Sequence, residues 1–182
     1  MSRNVIILNG VSSSGKTTLA KAIQRDANNF WLHVAMDSFL AMLPDGRECE
    51  REWFPMIEVM RAGDTLPRIG SGPYGEALLT QMRQLVTQLA EAGFGVIVDE
   101  VADEAVIADY RRRLGTACLV VKVDAPLSEL ERRERTRGDR VTGLAREQSA
   151  RIHQGLTYDL EVNTSADTSD AIACHVLETA LA

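Results

Sequence analysis

Eight consecutive residues, Gly10, Val11, Ser12, Ser13, Ser14, Gly15, Lys16 and Thr17, satisfy the spacing G-x-x-x-x-G-K-[ST] in full. They follow an apolar run, Val5–Asn9, and precede a helical pattern over 16–27. That strand–loop–helix context is what the phosphate-loop chemistry requires. Glycine lets the backbone wrap closely around phosphate, and successive N–H groups at a helix N-terminus attract the anion. Lys16 is placed to reach the β- and γ-phosphates, the Thr17 hydroxyl to ligate Mg²⁺, and Thr18 to assist beside it. The competing reading, a Gly/Ser turn with a solvated lysine, leaves the complete match and its flanking elements unexplained. Residues 10–18 are therefore the expected nucleotide-binding segment, with ATP and Mg²⁺ as cofactors.

Such a loop commits the chain to an α/β fold, and the remaining sequence keeps the rhythm. Apolar runs at 32–36, 95–98 and 118–123 and a weaker one at 159–163 read as strands covered on both faces. Each of the first three is followed by acid: Asp37, Asp99 with Glu100, and Asp124. Helical patterns fall at 16–27, 74–92, 104–114, 128–136, 145–155 and 168–181. The alternation predicts a mainly parallel sheet with helices on both faces, and ligands beyond the carboxyl ends of its strands. A chain of 182 residues, 45% apolar and 25% charged, with no repeat or low-complexity tract, reads as one domain over 1–182.

Charge and cysteine usage narrow the class. Twenty Lys and Arg against 26 Asp and Glu give a net charge of −6, which argues against a nucleic-acid partner. No stretch approaches the ~20 apolar residues that span a bilayer, so no membrane partner is expected. Cys49, Cys118 and Cys174 are odd in number and lack metal-ligand spacing. With no signal-peptide pattern, the expected setting is cytoplasmic.

A phosphate loop in a chain this short, without a guanine-reading motif, fits a small kinase best. Its partner would be a small-molecule hydroxyl acceptor. Phosphoryl transfer needs a base, a metal-holding acid and a charge-neutralising lid. Asp37 has two readings: the carboxylate that orients and deprotonates an acceptor hydroxyl, or a helix N-cap for residues 38–43. Asp99, after four apolar residues, is the expected Mg²⁺ ligand with Thr17, and Glu100 is placed to contact the acceptor or a water. Asp124, before Ala125 and Pro126, reads as a turn or cap. Five arginines stand in residues 132–140: Arg132, Arg133, Arg135, Arg137 and Arg140. A solvated helix face and a nucleic-acid patch are the plainer readings. The position after the fourth strand favours a lid over 128–145, in which Arg133 and Arg137 share a helix face and Arg140 folds back beyond Gly138. Residues 44–72, with three of the five prolines, read as an ordered excursion with its own small core or as a substrate-binding flap. Trp53, Phe54, Met56 and Met60 are its candidate acceptor walls. His33, His153 and His175 have no inferable partner and read as structural, with the role of His153 open.

Taken together, IILNGVSSSGKTTLAKAIQ, WLHVAMDS, GVIVDEV, RERTRGDRVTGLAREQ and IHQGLTYDLEVNT resemble, in matching order, the chloramphenicol phosphotransferase family. The resemblance implies a P-loop kinase fold with a five-stranded parallel sheet in the order 2-3-1-4-5. It implies ATP-dependent phosphorylation of the primary hydroxyl of chloramphenicol, that is, antibiotic resistance by 3-O-phosphorylation. Carried over, the family's catalytic aspartate falls on Asp37, its phosphate lysine on Lys16, and its arginine pair on Arg137 and Arg140. Val11 and Ser14 depart from the family's loop without changing its spacing. Residues 44–72, which should line the acceptor pocket, do not match. The rival readings are a kinase of another acceptor (nucleotide-sugar, shikimate-type or nucleoside), an ATP-binding regulator with little turnover, and a nucleic-acid-modifying kinase.

Overall fold

Strand β1 (Val5–Asn9) is buried at every residue, because both its faces are covered. In the computed structural model, which describes residues 3–27, 30–138 and 141–182, it lies at the centre of a parallel sheet. Its partners are β5 (Gly95–Glu100) and β6 (Cys118–Asp124), with β2 (Trp31–Ala35) outside β5 and β7 (Leu160–Asn163) outside β6. The order is β2-β5-β1-β6-β7. A separate hairpin supplies strands three and four, so among the five sheet strands the order reads 2-3-1-4-5, as expected.

Two-residue alternation sorts the core. Ile6 and Leu8 join Leu19 and Ile23 of α1 (Lys16–Asp26) and Ile172 and Val176 of α7 (Ser169–Leu181). Val5 and Ile7 face Met82 and Val86 of α3 (Pro73–Glu91) and Ile107 and Tyr110 of α4 (Glu104–Leu114). Each such fully buried large side chain stabilises by about 1.5–3 kcal/mol. Asp103 and Thr168 cap α4 and α7, accepting from Val106 N and Ala171 N.

Two local expectations shift. Strand β2 ends at Ala35 and α2 (Met36–Leu40) begins at once. The helix expected over 145–155 is the shorter α6 (Leu144–Ser149), followed by turns through Gly155 at φ +73°, where Ile152, His153 and Gly155 are weak helix formers.

Residues 44–72 are ordered around an antiparallel hairpin, β3 (Met56–Arg61) and β4 (Asp64–Ile69). Ala62 and Gly63, both at positive φ, make its two-residue turn. It has no core of its own: Met56, Ile57 and Ile69 are exposed, and Met60 is 71% exposed. Its root is firm. Phe54 is buried in the core cluster that holds Val34 and Leu79, and Trp53 packs against Tyr74 with ring centroids 5.4 Å apart and planes tilted by 47°. These two aromatics thus anchor the excursion, and Met56 and Met60 stand on the hairpin itself.

Candidate active site

The phosphate loop is shaped by close approach. A Cβ on Gly10 would stand 2.2 Å from the Val123 carbonyl oxygen, so only glycine fits where β1 passes β6. Ser13 (φ 64°) and Gly15 (φ 97°) turn the chain into α1, which carries no side-chain cap and so leaves its first N–H groups for an anion. The Ser12, Ser13 and Ser14 hydroxyls are buried without partners among the described residues. Unpaired buried hydroxyls are unfavourable by about 1–3 kcal/mol each, and a phosphate would satisfy them. Lys16 is buried, its ammonium donating to the Gly10 and Val11 carbonyls at 2.8 and 3.0 Å, with Asp99 Oδ1 at 3.9 Å.

Strand β5 carries Asp99 to the same point. The Thr17 hydroxyl donates to Asp99 Oδ2 at 2.6 Å. Burial pushes the Asp99 carboxyl up, but the neighbouring His33 ring, the Lys16 ammonium and the Thr17 hydroxyl outweigh it, and the group sits below its ordinary range. His33 Nε2 lies 3.6 Å from Asp99 Oδ2. Thr17 and Asp99 offer the hard oxygen donors that suit Mg²⁺ alongside nucleotide phosphate.

Glu100 faces inward. Arg83 donates to its Oε1 at 2.6 and 3.0 Å and the Tyr110 hydroxyl to its Oε2 at 2.7 Å. Burial and the Glu100 charge push the Tyr110 hydroxyl far above its ordinary value. Glu100 is thus held by Arg83 and Tyr110 where it borders the smaller cavity beside the loop.

Two cavities flank the loop. The larger, about 600 Å³, lies between α1, α5 (Leu127–Arg137) and the segment before α7, and is bordered by Thr18, Arg133, Arg137, Thr164 and Asp167. The smaller, about 120 Å³, is bordered by loop residues 12–18, Asp37, Asp99, Arg137 and, from the hairpin, Ile69. Arg137 borders both. Asp37 stands in the first turn of α2, whose N-cap is Ala35, so Asp37 is not the cap. Arg133 is a strut: it donates to Glu129 Oε1 (2.7 Å), Thr164 Oγ1 (2.9 Å) and the Ser13 carbonyl (3.4 Å), tying α5 to the loop. Arg132 pairs with Glu129 at the surface and Arg135 is exposed. Arg140 lies outside the described residues. Asp124 takes the turn role, accepting from Ala125 N at 2.8 Å.

Four residues here escaped sequence reasoning. Gln148 of α6 accepts from Ser12 N at 2.6 Å, and Thr164 donates to the Ser14 carbonyl at 2.7 Å. Both partners are more than 130 positions away, so no local spacing announces them. His33 shares a strand face with Ala35, which pairs with Asp99, a relation visible once strand order is known. Asn9, closing β1, exchanges hydrogen bonds with both backbone groups of Ala102.

Comparison with known proteins agrees with this geometry. Residues 3–180 match the family described as chloramphenicol phosphotransferase-like protein. A protein of Mycobacterium tuberculosis (strain H37Rv), provisionally named an O-phosphotransferase, is 31% identical over 169 residues, covering 89% of this chain and 75% of that one. Among solved structures, the APS kinase of Mycobacterium tuberculosis in complex with AMPPNP and APS has a TM-score of 0.63 at 19% identity, over 98% of this chain and 97% of the other. The tunicamycin resistance protein of Deinococcus radiodurans has a TM-score of 0.64 at 14% identity, over 98% and 95%. Phosphate loop, sheet order and family match converge: the chain belongs to the chloramphenicol phosphotransferase-like family and is a kinase that transfers phosphoryl to a hydroxyl.

Proposed function

We propose that this kinase phosphorylates an alcohol of a small molecule, with chloramphenicol the first acceptor to test. What supports the reading is that Asp37, Lys16, Asp99 and Arg137 border one cleft, and that Arg137 also borders the larger cavity across the phosphate loop. ATP fits with its base and ribose in the larger cavity and its γ-phosphate at the cleft. Asp37 accepts the proton of the acceptor hydroxyl as that oxygen bonds to the γ-phosphorus. The bond from phosphorus to the β–γ bridging oxygen breaks, and ADP leaves with the electron pair. Lys16 and Arg137 offset charge on the transferred group. Thr17 and Asp99 would hold Mg²⁺, which when bound neutralises phosphate charge.

The test is incubation with MgATP and a panel of alcohols headed by chloramphenicol, with products read by mass spectrometry. The expected outcome is a phosphorylated chloramphenicol, and a 10²–10⁴-fold slower reaction in Asp37→Asn. Product from another alcohol only would discard the antibiotic and keep the chemistry. Tight ATP binding with no product from any alcohol would make the protein a nucleotide-binding regulator.

A further inference from the structure

Helix α6 stands beside the transfer cleft without having been given a part in it. Gln148 is only 7% exposed, yet it borders the cleft together with Asp37 and the phosphate loop. Its carboxamide orientation is fixed by chemistry. Ser12 N is a donor 2.6 Å away, so the side-chain atom facing it must be the oxygen. That turns Nε2, with two N–H bonds, away from the loop, and it has no hydrogen-bond partner among the described residues. That nitrogen is not sealed in the interior: Gln148 borders the cleft, so its N–H groups are open to an oxygen that arrives there.

The neighbouring residue explains why this amide is held so firmly. Glu147, fully buried, accepts from Arg68 of the hairpin at 2.6 Å and from Arg151 at 3.2 Å. Arg61, also of the hairpin, donates to the Ala150 carbonyl at 2.6 Å. On the other side, buried Glu134 of α5 accepts from Gly143 N and Ala145 N at 2.7 and 2.9 Å. The six residues of α6 are thus pinned to the lid helix, the hairpin and the phosphate loop at once, and Gln148 is the member that borders the cleft.

We infer that Gln148 belongs to the transfer site, its Oε1 anchoring the phosphate loop and its Nε2 donating to an oxygen brought into the cleft. The ligand chemistry is an oxygen acceptor. Two sources are compatible with the position, an oxygen of the transferred phosphoryl and an oxygen of the alcohol substrate. The inference rests on the proposed phosphoryl transfer.

Gln148→Glu separates the two halves of the side chain, because it keeps an oxygen for Ser12 N and removes the donor. Gln148→Ala removes both. Three readouts apply to each variant: binding of ADP, which lacks the transferred phosphoryl, ATP hydrolysis without acceptor, and transfer to the alcohol that the panel identifies. For Gln148→Glu the expected result is ADP affinity within a few-fold of wild type and an unchanged thermal midpoint, with transfer about 10- to 100-fold slower, the effect of losing one hydrogen bond to a charged or reacting group. Lower hydrolysis in parallel assigns the donor to the phosphoryl oxygen. Unchanged hydrolysis with a raised KM for the alcohol assigns it to the acceptor. ADP binding and transfer lost in the same proportion would reduce Gln148 to a loop anchor and overturn the inference, as would wild-type transfer. If the wild type phosphorylates no alcohol, the proposed function fails by itself. Hydrolysis then decides Gln148: a 10- to 100-fold loss in Gln148→Glu supports it, and an unchanged rate overturns it.

Discussion

His153 is tied to β1 through a tyrosine. The Asn9 amide donates to the Tyr158 hydroxyl at 3.0 Å, and that hydroxyl lies 2.6 Å from His153 Nδ1. Burial pushes the Tyr158 hydroxyl up to about 12, which keeps it a donor. Burial also lowers His153 below its ordinary value, with Asp124 and Glu161 opposing and Lys122 and Lys16 assisting. The folded state therefore binds this proton more weakly than the unfolded chain. His153 leaves stability intact above the unfolded value near 6.5 and removes some of it as pH falls from there through the folded value. The thermal midpoint should fall between pH 7 and 5, and His153→Asn, which keeps an acceptor for Tyr158, should flatten that fall. An equal slope in the variant would place the proton elsewhere. The sequence offered His153 only as an isolated ring with an open role. Asn9 and Tyr158 are 149 positions apart and meet only through the fold.

At the scale of elements, α5 and α6 show why an arginine-rich stretch is poorly read from its charges alone. The residue of α5 that organises the next helix is the buried carboxylate of Glu134, which satisfies two N–H groups at the start of α6. Glu134→Ala should lower stability by about 1–3 kcal/mol, through N–H groups left unsatisfied in the interior. A thermal melt should register this as a drop of several degrees. A variant melting like wild type would mean that water replaces the cap. The phosphate loop, by contrast, was legible in full, because its chemistry lies in one contiguous spacing. So were the acids ending β5 and β6, and Asp37 two residues beyond β2, because buried parallel strands read as apolar runs that stop at polar residues. The hairpin was not. Its strands MIEVMR and DTLPRI are mostly solvated, so no apolar alternation marks them, and Pro67 argues against a strand. The one available signal was Gly63, at a two-residue turn between two short runs rich in β-branched residues.

Across the whole molecule, the two larger cores lie under and over the sheet, while the hairpin stands outside both, tied back through Arg68 and Arg61. Replacing residues 56–69 with a short Gly/Ser turn, together with Glu147→Gln so that no buried carboxylate loses Arg68, should leave the sheet folded and ATP-analogue binding near wild type. Transfer to the alcohol should be lost. Circular dichroism, analogue titration and the product assay check the three parts, and loss of analogue binding would show that the hairpin also supports the phosphate loop. Strand order was legible only through the family resemblance, since right-handed βαβ crossovers prune the alternatives without choosing among them. The position of α6 among three elements was not, since each of its ties spans residues remote in sequence.

The hairpin's two ends close on each other: Gly70 N donates to the Pro55 carbonyl at 2.9 Å, and Gly72 N to the Trp53 carbonyl at 2.6 Å. A segment whose ends already touch can be lengthened, shortened or exchanged without moving its points of attachment. Asp37 and the phosphate loop are not part of that segment. On the proposed reading, in which the hairpin lends Ile69 to the acceptor side of the cleft, that wall is a cassette that sequence change can rewrite without touching the phosphate loop.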